Sequence, residues 1–185
     1  GDGTPNVNWS PGADWFVQKK HQGGLLLDIG IHMADLMRMV MGEADKAAGW
    51  LDTRLSTIDV PDNVNAIFRY KNGGTGMLEL SWTMPGGAGF FEVYGTKGRL
   101  RMGFSDHGIE LWKDGKPANK AMTYPEAIPH KNSQRGFLDA ILRKGKSLTP
   151  GEYGRRALAL CLAIQDSSNS GKVVAVKHFK GDDKL

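Results

Sequence analysis

The pattern of apolar and polar positions changes period along this chain. Between Gly23 and Gly42, the residues Leu26, Ile29, Met33, Leu36, Met37 and Val40 recur at three- and four-residue spacing, the stripe of one amphipathic helix. Gly23-Gly24 opens the run without side-chain bulk, and Gly42 is placed to close it as a left-handed C-cap. Beyond Gly42 the period drops to two. Val64, Ala66, Phe68 and Tyr70 alternate with Asn65, Ile67, Arg69 and Lys71; Leu78, Leu80 and Trp82 alternate with Glu79, Ser81 and Thr83; Leu100, Met102 and Phe104 alternate with Arg99 and Arg101. Such alternation predicts strands with one buried face, over Ala47–Ser56, Asn63–Lys71, Thr75–Thr83, Phe90–Gly95, Arg99–Phe104 and Ile109–Lys113. Asn72-Gly73-Gly74, Thr96-Lys97-Gly98 and Asp114-Gly115 read as tight turns that join consecutive strands into an antiparallel meander. Helical spacing returns over Ser133–Arg143 and Glu152–Ser168, Gly171 ends the second helix, and Val173–Phe179 reads as a last strand before a frayed tail. Strands in succession, flanked by helices, make the fold class α+β.

The opening segment, Gly1 to Gln22, is loop-like. Its aromatics Trp9, Trp15 and Phe16 need a surface to pack on, and with no opening strand or helix the chain reads as cut at its N-terminus. At 185 residues the chain is long enough to bury a core, and residues 1–185 read as a single domain. The composition, 40% hydrophobic and 24% charged, is that of an ordinary globular protein. The net charge of +4 is scattered, without a basic run interleaved with aromatics, which argues against nucleic acid as a partner. The lone Cys161 sits in an apolar helical run and reads as core, and no cysteine pair supports a disulfide framework. No stretch is long and apolar enough to span a membrane, and no signal peptide opens the chain, so a cytoplasmic location is expected.

The first helix also carries the candidate chemistry. At roughly 100° per residue, Asp28, His32 and Asp35 fall within a fan of about 60°, set about 110° from the apolar stripe. Histidine titrates near neutral pH and can take or give a proton. An aspartate one turn away can hold one ring nitrogen as a donor and leave the other as a base. The double glycine lets a ligand approach the N–H groups at the helix start. Gly30, in mid-helix, costs roughly 1 kcal/mol against alanine and implies close approach of a strand or a ligand. Asp28, His32 and Asp35 could also face a metal, but an imidazole and two carboxylates on one helix rarely close a coordination shell. A dinucleotide fingerprint is absent: Gly87-Ala88-Gly89 is followed by Glu92 where the last glycine belongs. Gly145-Lys146-Ser147 fails as a phosphate loop because Ala140 stands at the first glycine position. The residues therefore offer an acid/base pair without a visible redox cofactor site.

The run Gly23-Gly24-x3-Asp28-x-Gly30-x-His32-x2-Asp35-Leu36 resembles the signature of the second domain of the Gfo/Idh/MocA oxidoreductases, the relatives of glucose–fructose oxidoreductase and inositol dehydrogenase. Trp15-Phe16, Val93-Tyr94-Gly95-Thr96-Lys97-Gly98, Arg135-Gly136-Phe137-Leu138-Asp139-Ala140-Ile141, and Ala163 to Ser168 with Gly171-Lys172-Val173-Val174 are similar to the same domain. The likeness runs from about Trp9 to Phe179. It implies an open, mainly antiparallel sheet of about six to eight strands with helices packed on one face. It also implies that residues 1–185 are the C-terminal substrate and dimerisation domain of a larger enzyme, without its N-terminal NAD(P)-binding domain. In that setting His32 takes the proton of a sugar or polyol hydroxyl as hydride leaves for the nicotinamide, and Asp28 orients and tunes it. Gly23, Gly24, Trp15, Asp35 and the loop residue His130 are the substrate-binding candidates. NAD or NADP is expected on the missing domain and not on this chain. The family's lysine motif has no counterpart here, and Gln22 stands where a first glycine is common. A homodimer or tetramer through the open sheet face is expected, with Trp82, Phe91 and Trp112 supplying apolar area. The competing reading is a stand-alone, non-catalytic module for dimerisation or ligand binding.

Overall fold

A computed structural model describes residues 3–86, 89–104, 108–118, 133–142, 145, 147 and 149–179. The elements are helix α1 (Ile31–Met41), strands β1 (Ala44–Asp52), β2 (Asn63–Tyr70), β3 (Thr75–Ser81), β4 (Phe90–Gly95), β5 (Gly98–Gly103), β6 (Ile109–Lys113) and β7 (Lys116–Pro117), helices α2 (Ser133–Leu142) and α3 (Gly151–Ser170), and strand β8 (Val174–Ala175). The fold is α+β as expected, and its described strands form two four-stranded sheets, β3-β2-β1-β8 and β4-β5-β6-β7. Every pairing in both sheets is antiparallel. Contacts group the chain into two compact units, Gly1–Pro85 with Thr149–Leu185, and Gly86–Leu148. Among the described residues, no helix is long and apolar enough to cross a membrane.

The first unit holds the larger core. Val64, Ala66, Phe68 and Tyr70 of β2 are all buried, while Asn65, Ile67 and Arg69 point outward, so the period-two pattern marks the inner face correctly. Helix α3 packs on that face with Ala157, Leu160, Cys161 and Ile164 fully or almost fully buried. Burial pushes the Cys161 thiol up to about 12, so the residue stays a neutral packing group. Gly49 is required where the layers meet, because a Cβ there would stand 2.8 Å from Ile164 Cγ2. Strand β8 is short, and beyond it the edge of β1 is completed by side chains: the N–H groups of Gly49 and Leu51 donate to Ser167 Oγ (3.1 Å) and Ser168 Oγ (3.0 Å). The final strand is Val174–Ala175 and not the expected Val173–Phe179; past Ala175 the chain meets β1 where its register shifts between Ala44 and Lys46, and the Val176 N–H donates to the Asp45 carbonyl at 2.9 Å.

Strand β1 likewise ends at Asp52 and not at Ser56. The cause is Asp62, wholly buried, whose carboxylate accepts the N–H groups of Arg54 (2.9 and 3.1 Å) and Leu55 (2.8 Å). These bonds turn the chain out of the sheet.

Helix α1 is preceded by one π-helical turn, Leu26–Gly30. A π turn adds a residue to the turn and shifts the phase of everything after it. The buried positions are accordingly Leu25, Leu26, Gly30, Ala34, Met37 and Arg38. Val40, which its spacing assigns to the buried stripe, is 49% exposed. Small residues at 30 and 34 bring the helix close to β3: a Cβ on Gly30 would meet Leu80 Cδ1 at 3.5 Å. The close approach signalled by Gly30 is thus to a strand.

In the opening segment the aromatics pack largely on one another. Trp15 stacks on Phe16 with ring centroids 3.6 Å apart, and Trp9 meets Phe16 edge-on at 4.9 Å. The segment includes two short 3-10 turns, Asp14–Val17 and Lys19–His21, and Val17 anchors it in the core.

In the second unit the register aligns Glu92, Arg101 and Glu110 in one row and Val93, Leu100 and Leu111 in the next. Arg99 lies over the Trp112 ring at 5.1 Å and Arg101 over Phe90 at 4.9 Å. The polar face of this sheet is therefore a set of salt-bridged arginines shielded by aromatic rings.

Candidate acid–base site at the start of the first helix

The double glycine is shaped by the chain itself. A Cβ on Gly23 would collide with the Phe16 carbonyl, and Gly24 adopts φ +110°, which side-chain-bearing residues rarely reach. The Gly23 N–H donates to the Gln18 carbonyl (3.3 Å), the Gly24 N–H to the Phe16 carbonyl (2.8 Å), and the Leu25 N–H to the Pro61 carbonyl (3.0 Å). The N–H groups of Leu27 and Asp28 both turn back to the Gly24 carbonyl, at 3.2 and 3.1 Å. At the helix start, where the double glycine is expected to let a ligand approach, the N–H groups of Gly23, Gly24, Leu25, Leu27 and Asp28 are all bonded within the chain. The glycines instead let the aromatic segment lie directly against the helix start.

Asp28 stands on the π turn and His32 on the first turn of α1. Asp28 is half-buried and His32 exposed. Burial raises the Asp28 carboxyl above its ordinary value, and the nearby His32 pulls it part of the way back. Asp28 Oδ2 is buried and has no hydrogen-bond partner among the described residues. A buried carboxylate oxygen left unpaired is costly and is rarely kept without a reason. The pair thus combines a solvent-facing imidazole with a desolvated carboxylate close enough to feel its charge.

Asp35 is directed elsewhere. Its Oδ1 accepts from Arg38 Nη2 at 2.9 Å and Nε at 3.2 Å. Arg38, buried, also reaches Glu43 Oε1 at 3.1 Å, and the same oxygen takes Arg156 Nη1 at 3.3 Å. Burial works to discharge the Arg38 guanidinium, but the bonds and charges of Asp35 and Glu43 outweigh it and hold it above its usual range. The structure therefore places Asp28 and His32 one turn apart, on the π turn and the first turn of α1, and ties Asp35 into an ion network between α1 and α3. No three His, Cys, Asp or Glu residues are grouped to hold a metal ion among the described residues. Trp15, 53% exposed, has one ring face covered by Phe16. His130 lies outside the described residues.

Two features escape a reading of the sequence. Pro61 and Asp62 clamp the helix start and the end of β3 from one short segment, since the Trp82 N–H donates to the Asp62 carbonyl at 2.9 Å. Val60-Pro61-Asp62-Asn63 carries a turn signal, but only the fold shows what the turn grips. Trp82 itself, expected on the open sheet face, is 3% exposed. Its alternation with Glu79 and Ser81 puts it on the inner side with Leu78 and Leu80, which is the signal to follow.

The described residues thus form an α+β domain of antiparallel sheets and helices, with Asp28 and His32 one turn apart at a glycine-opened helix start. A sequence model described as the GFO/IDH/MocA C-terminal domain matches residues 3–101, and the chain belongs to that family. The D-apiose dehydrogenase of Paraburkholderia graminis is 26% identical over 171 residues, covering 84% of this chain and 45% of that protein. The myo-inositol 2-dehydrogenase of Thermotoga maritima is 27% identical over 174 residues, covering 86% of this chain and 51% of that one. The WlbA dehydrogenase of Bordetella pertussis, solved with NADH and UDP-GlcNAcA, shares the fold with a TM-score of 0.78 at 21% identity, over 96% of this chain and 52% of its own. The chain spans about half the length of the curated relatives it matches.

Proposed function

We propose that this chain is the substrate-binding and oligomerisation half of an NAD(P)-dependent oxidoreductase acting on a sugar, a polyol or a related hydroxyl compound, with His32 as the acid/base and Asp28 as its partner. The observation that carries the reading is the electrostatic pairing of a half-buried Asp28 carboxylate with an exposed His32 at the helix start. The relatives named D-apiose dehydrogenase and myo-inositol 2-dehydrogenase act on compounds of this class. In the proposed step, the His32 ring accepts the proton of a substrate hydroxyl during oxidation and returns it during reduction. Asp28 bears the compensating charge. Trp15 and His130 remain candidates for substrate contact, whereas Gly23 and Gly24 act by shaping the wall.

The reading assigns no dinucleotide to the described residues. All strand pairings are antiparallel, so no parallel β-α-β unit is present among them. The N–H groups of Gly24 and Leu25 are committed within the chain. NAD or NADP therefore belongs, on this proposal, to another part of the enzyme. The oligomerisation half of the proposal rests on the outer face of the first sheet. Ala48, Ile67 and Met77 align across β1, β2 and β3, and Ile67, Met77 and Trp50 are 45%, 80% and 60% exposed.

The test is His32→Ala in the complete enzyme that carries this domain, with folding checked by circular dichroism. Turnover is expected to fall by roughly a hundredfold or more. Near-normal turnover in the folded variant would remove His32 from the mechanism.

A further inference from the structure

The second 3-10 turn of the opening segment, Lys19–His21, has no cap of its own: Gln18 precedes it without a side-chain hydrogen bond. A short polar residue usually fills that place. Here the cap comes from a distant loop. The Lys19 N–H donates to Asp59 Oδ1 at 2.7 Å, across forty residues, the short distance of a bond to a charged acceptor.

Asp59 begins a run of four residues that holds three parts of the chain together. Its own N–H donates to the Val17 carbonyl at 3.5 Å. Val60, 2% exposed, lies against Gly24, where a Cβ would stand 3.3 Å from Val60 Cβ. The Pro61 carbonyl accepts the Leu25 N–H at 3.0 Å. Asp62 anchors the run in the sheet: its carboxylate accepts the N–H groups of Arg54 and Leu55 and the side-chain amide of Asn63, and its carbonyl accepts the Trp82 N–H. The opening segment and the helix start are bonded to each other as well, from the Gly24 N–H to the Phe16 carbonyl at 2.8 Å. Opening segment, helix start and loop thus close a triangle of bonds. Trp15 stands at the first corner. Asp28, bonded through its N–H to the Gly24 carbonyl at 3.1 Å, stands at the second.

Val60 and Asp62 are buried and serve the core, whereas Asp59 is exposed. Val17 already anchors the opening segment in the core, so what the Asp59 carboxylate adds is orientation. We infer that Asp59 is a positioning residue: by capping Lys19–His21 it sets the opening segment, and Trp15 with it, against the start of the helix that carries Asp28 and His32. The inference rests on the reading of Trp15 as a substrate-contact residue, but the bond itself belongs to the resting chain.

The experiment has two arms. The first compares amide hydrogen exchange of the chain in the parent, Asp59→Ala and Asp59→Asn. Alanine removes the acceptor, and asparagine keeps an acceptor oxygen on a side chain of the same length. In Asp59→Ala the Gly24 N–H is expected to exchange about fivefold faster or more, with the amides of α3 unchanged, and Asp59→Asn is expected to restore most of the protection. Unchanged exchange at Gly24, a rise that reaches α3 equally, or an Asp59→Asn chain that behaves like Asp59→Ala overturns the inference. The second arm assays the complete enzyme that carries this domain, with myo-inositol, D-apiose and D-glucose as probes. Asp59→Ala is expected to raise KM about tenfold and to leave kcat within about twofold, the mark of lost binding and not of lost chemistry. An unchanged KM overturns the inference. An enzyme that oxidises none of the three probes, or a His32→Ala enzyme of near-normal turnover, fails the proposed function, while the exchange arm still decides whether Asp59 sets the segment.

Discussion

Gly49 lies directly beneath Ile164: a Cβ at position 49 would stand 2.8 Å from Ile164 Cγ2 and 3.1 Å from the Asn65 carbonyl oxygen. The Gly49 N–H is bonded to Ser167 one turn further along the same helix. Strand and helix are thus locked by contact and by hydrogen bond at one place. Gly49→Ala must push α3 outward and strain that bond, and it is expected to destabilise the chain by about 1–3 kcal/mol, read from the urea midpoint. Ile164→Ala should cost less in the Gly49→Ala background than alone, because the cavity it leaves accepts the new methyl group.

Asp28→Asn is expected to act in opposite directions on stability and on turnover. Burial raises the folded-state carboxyl above its ordinary value of 3.8. A carboxyl raised on folding binds its proton more tightly in the native state, so its contribution is most favourable at pH below the unfolded value. That contribution is lost as pH rises through the folded value. At neutral pH the charged group is therefore a burden on stability, which an uncharged amide relieves. Thermal midpoints of Asp28→Asn should exceed the parent at pH 7, and the gap should shrink as the pH falls toward about 4. Turnover of the complete enzyme should fall in the same variant. A variant that melts below the parent at pH 7 would contradict the electrostatic picture.

The strands of the fold are legible because β2 and β3 bury one face and wet the other, so Val64 to Tyr70 and Leu78 to Trp82 carry the period of two in plain view. The helix with Asp28 and His32 is legible as an element and as a motif, but its orientation is not. A constant 100° per residue cannot anticipate the π turn at Leu26–Gly30, so it puts Val40 inside and passes over Ala34 and Arg38. The fate of Asp35 is hidden for a different reason. Its partner Arg38 lies three residues away, but the network that makes the pair worthwhile is completed by Glu43 and by Arg156, far along the chain. Strand ends at Asp52 and Ala175 are equally out of reach, since the first is set by a buried carboxylate at Asp62 and the second falls where the register of β1 shifts between Ala44 and Lys46.

The chain by itself is expected neither to bind NAD or NADP at micromolar concentration nor to form NADH from any sugar or inositol. Hydride transfer needs donor and acceptor carbons held about 3–3.5 Å apart. The device that holds a dinucleotide is a glycine turn feeding a free helix N-terminus in a β-α-β unit. At the glycine-opened helix of this chain, the N–H groups of Gly24 and Leu25 are bonded to Phe16 and Pro61. Calorimetry with both dinucleotides and an absorbance assay across a panel of sugars and inositols check this. Steady NADH production by the isolated chain would show a cofactor site that the antiparallel sheets do not explain.

The last prediction is that the chain associates in solution through the outer face of its first sheet. Trp82 cannot contribute, because it is buried in the core. The face itself carries a better apolar group. Ile67 and Met77 are paired across β2 and β3, and Ala48 opposes Ile67 on β1. Trp50 stands two residues along β1 on the same side and is 60% exposed. Around them Lys46, Asn65, Arg69 and Glu79 are exposed and form a polar rim, the usual anatomy of an interface with an apolar centre. A two-fold axis over Ile67 would bring the same strip of both copies together, which is the arrangement a homodimer requires. Light scattering is expected to give a dimer at tens of micromolar, on the order of what standard interfaces hold. Ile67→Asp, which sets a carboxylate at the centre of the strip in each copy, is expected to yield a folded monomer. A dimer that survives Ile67→Asp and Trp50→Asp together would move the interface to another surface.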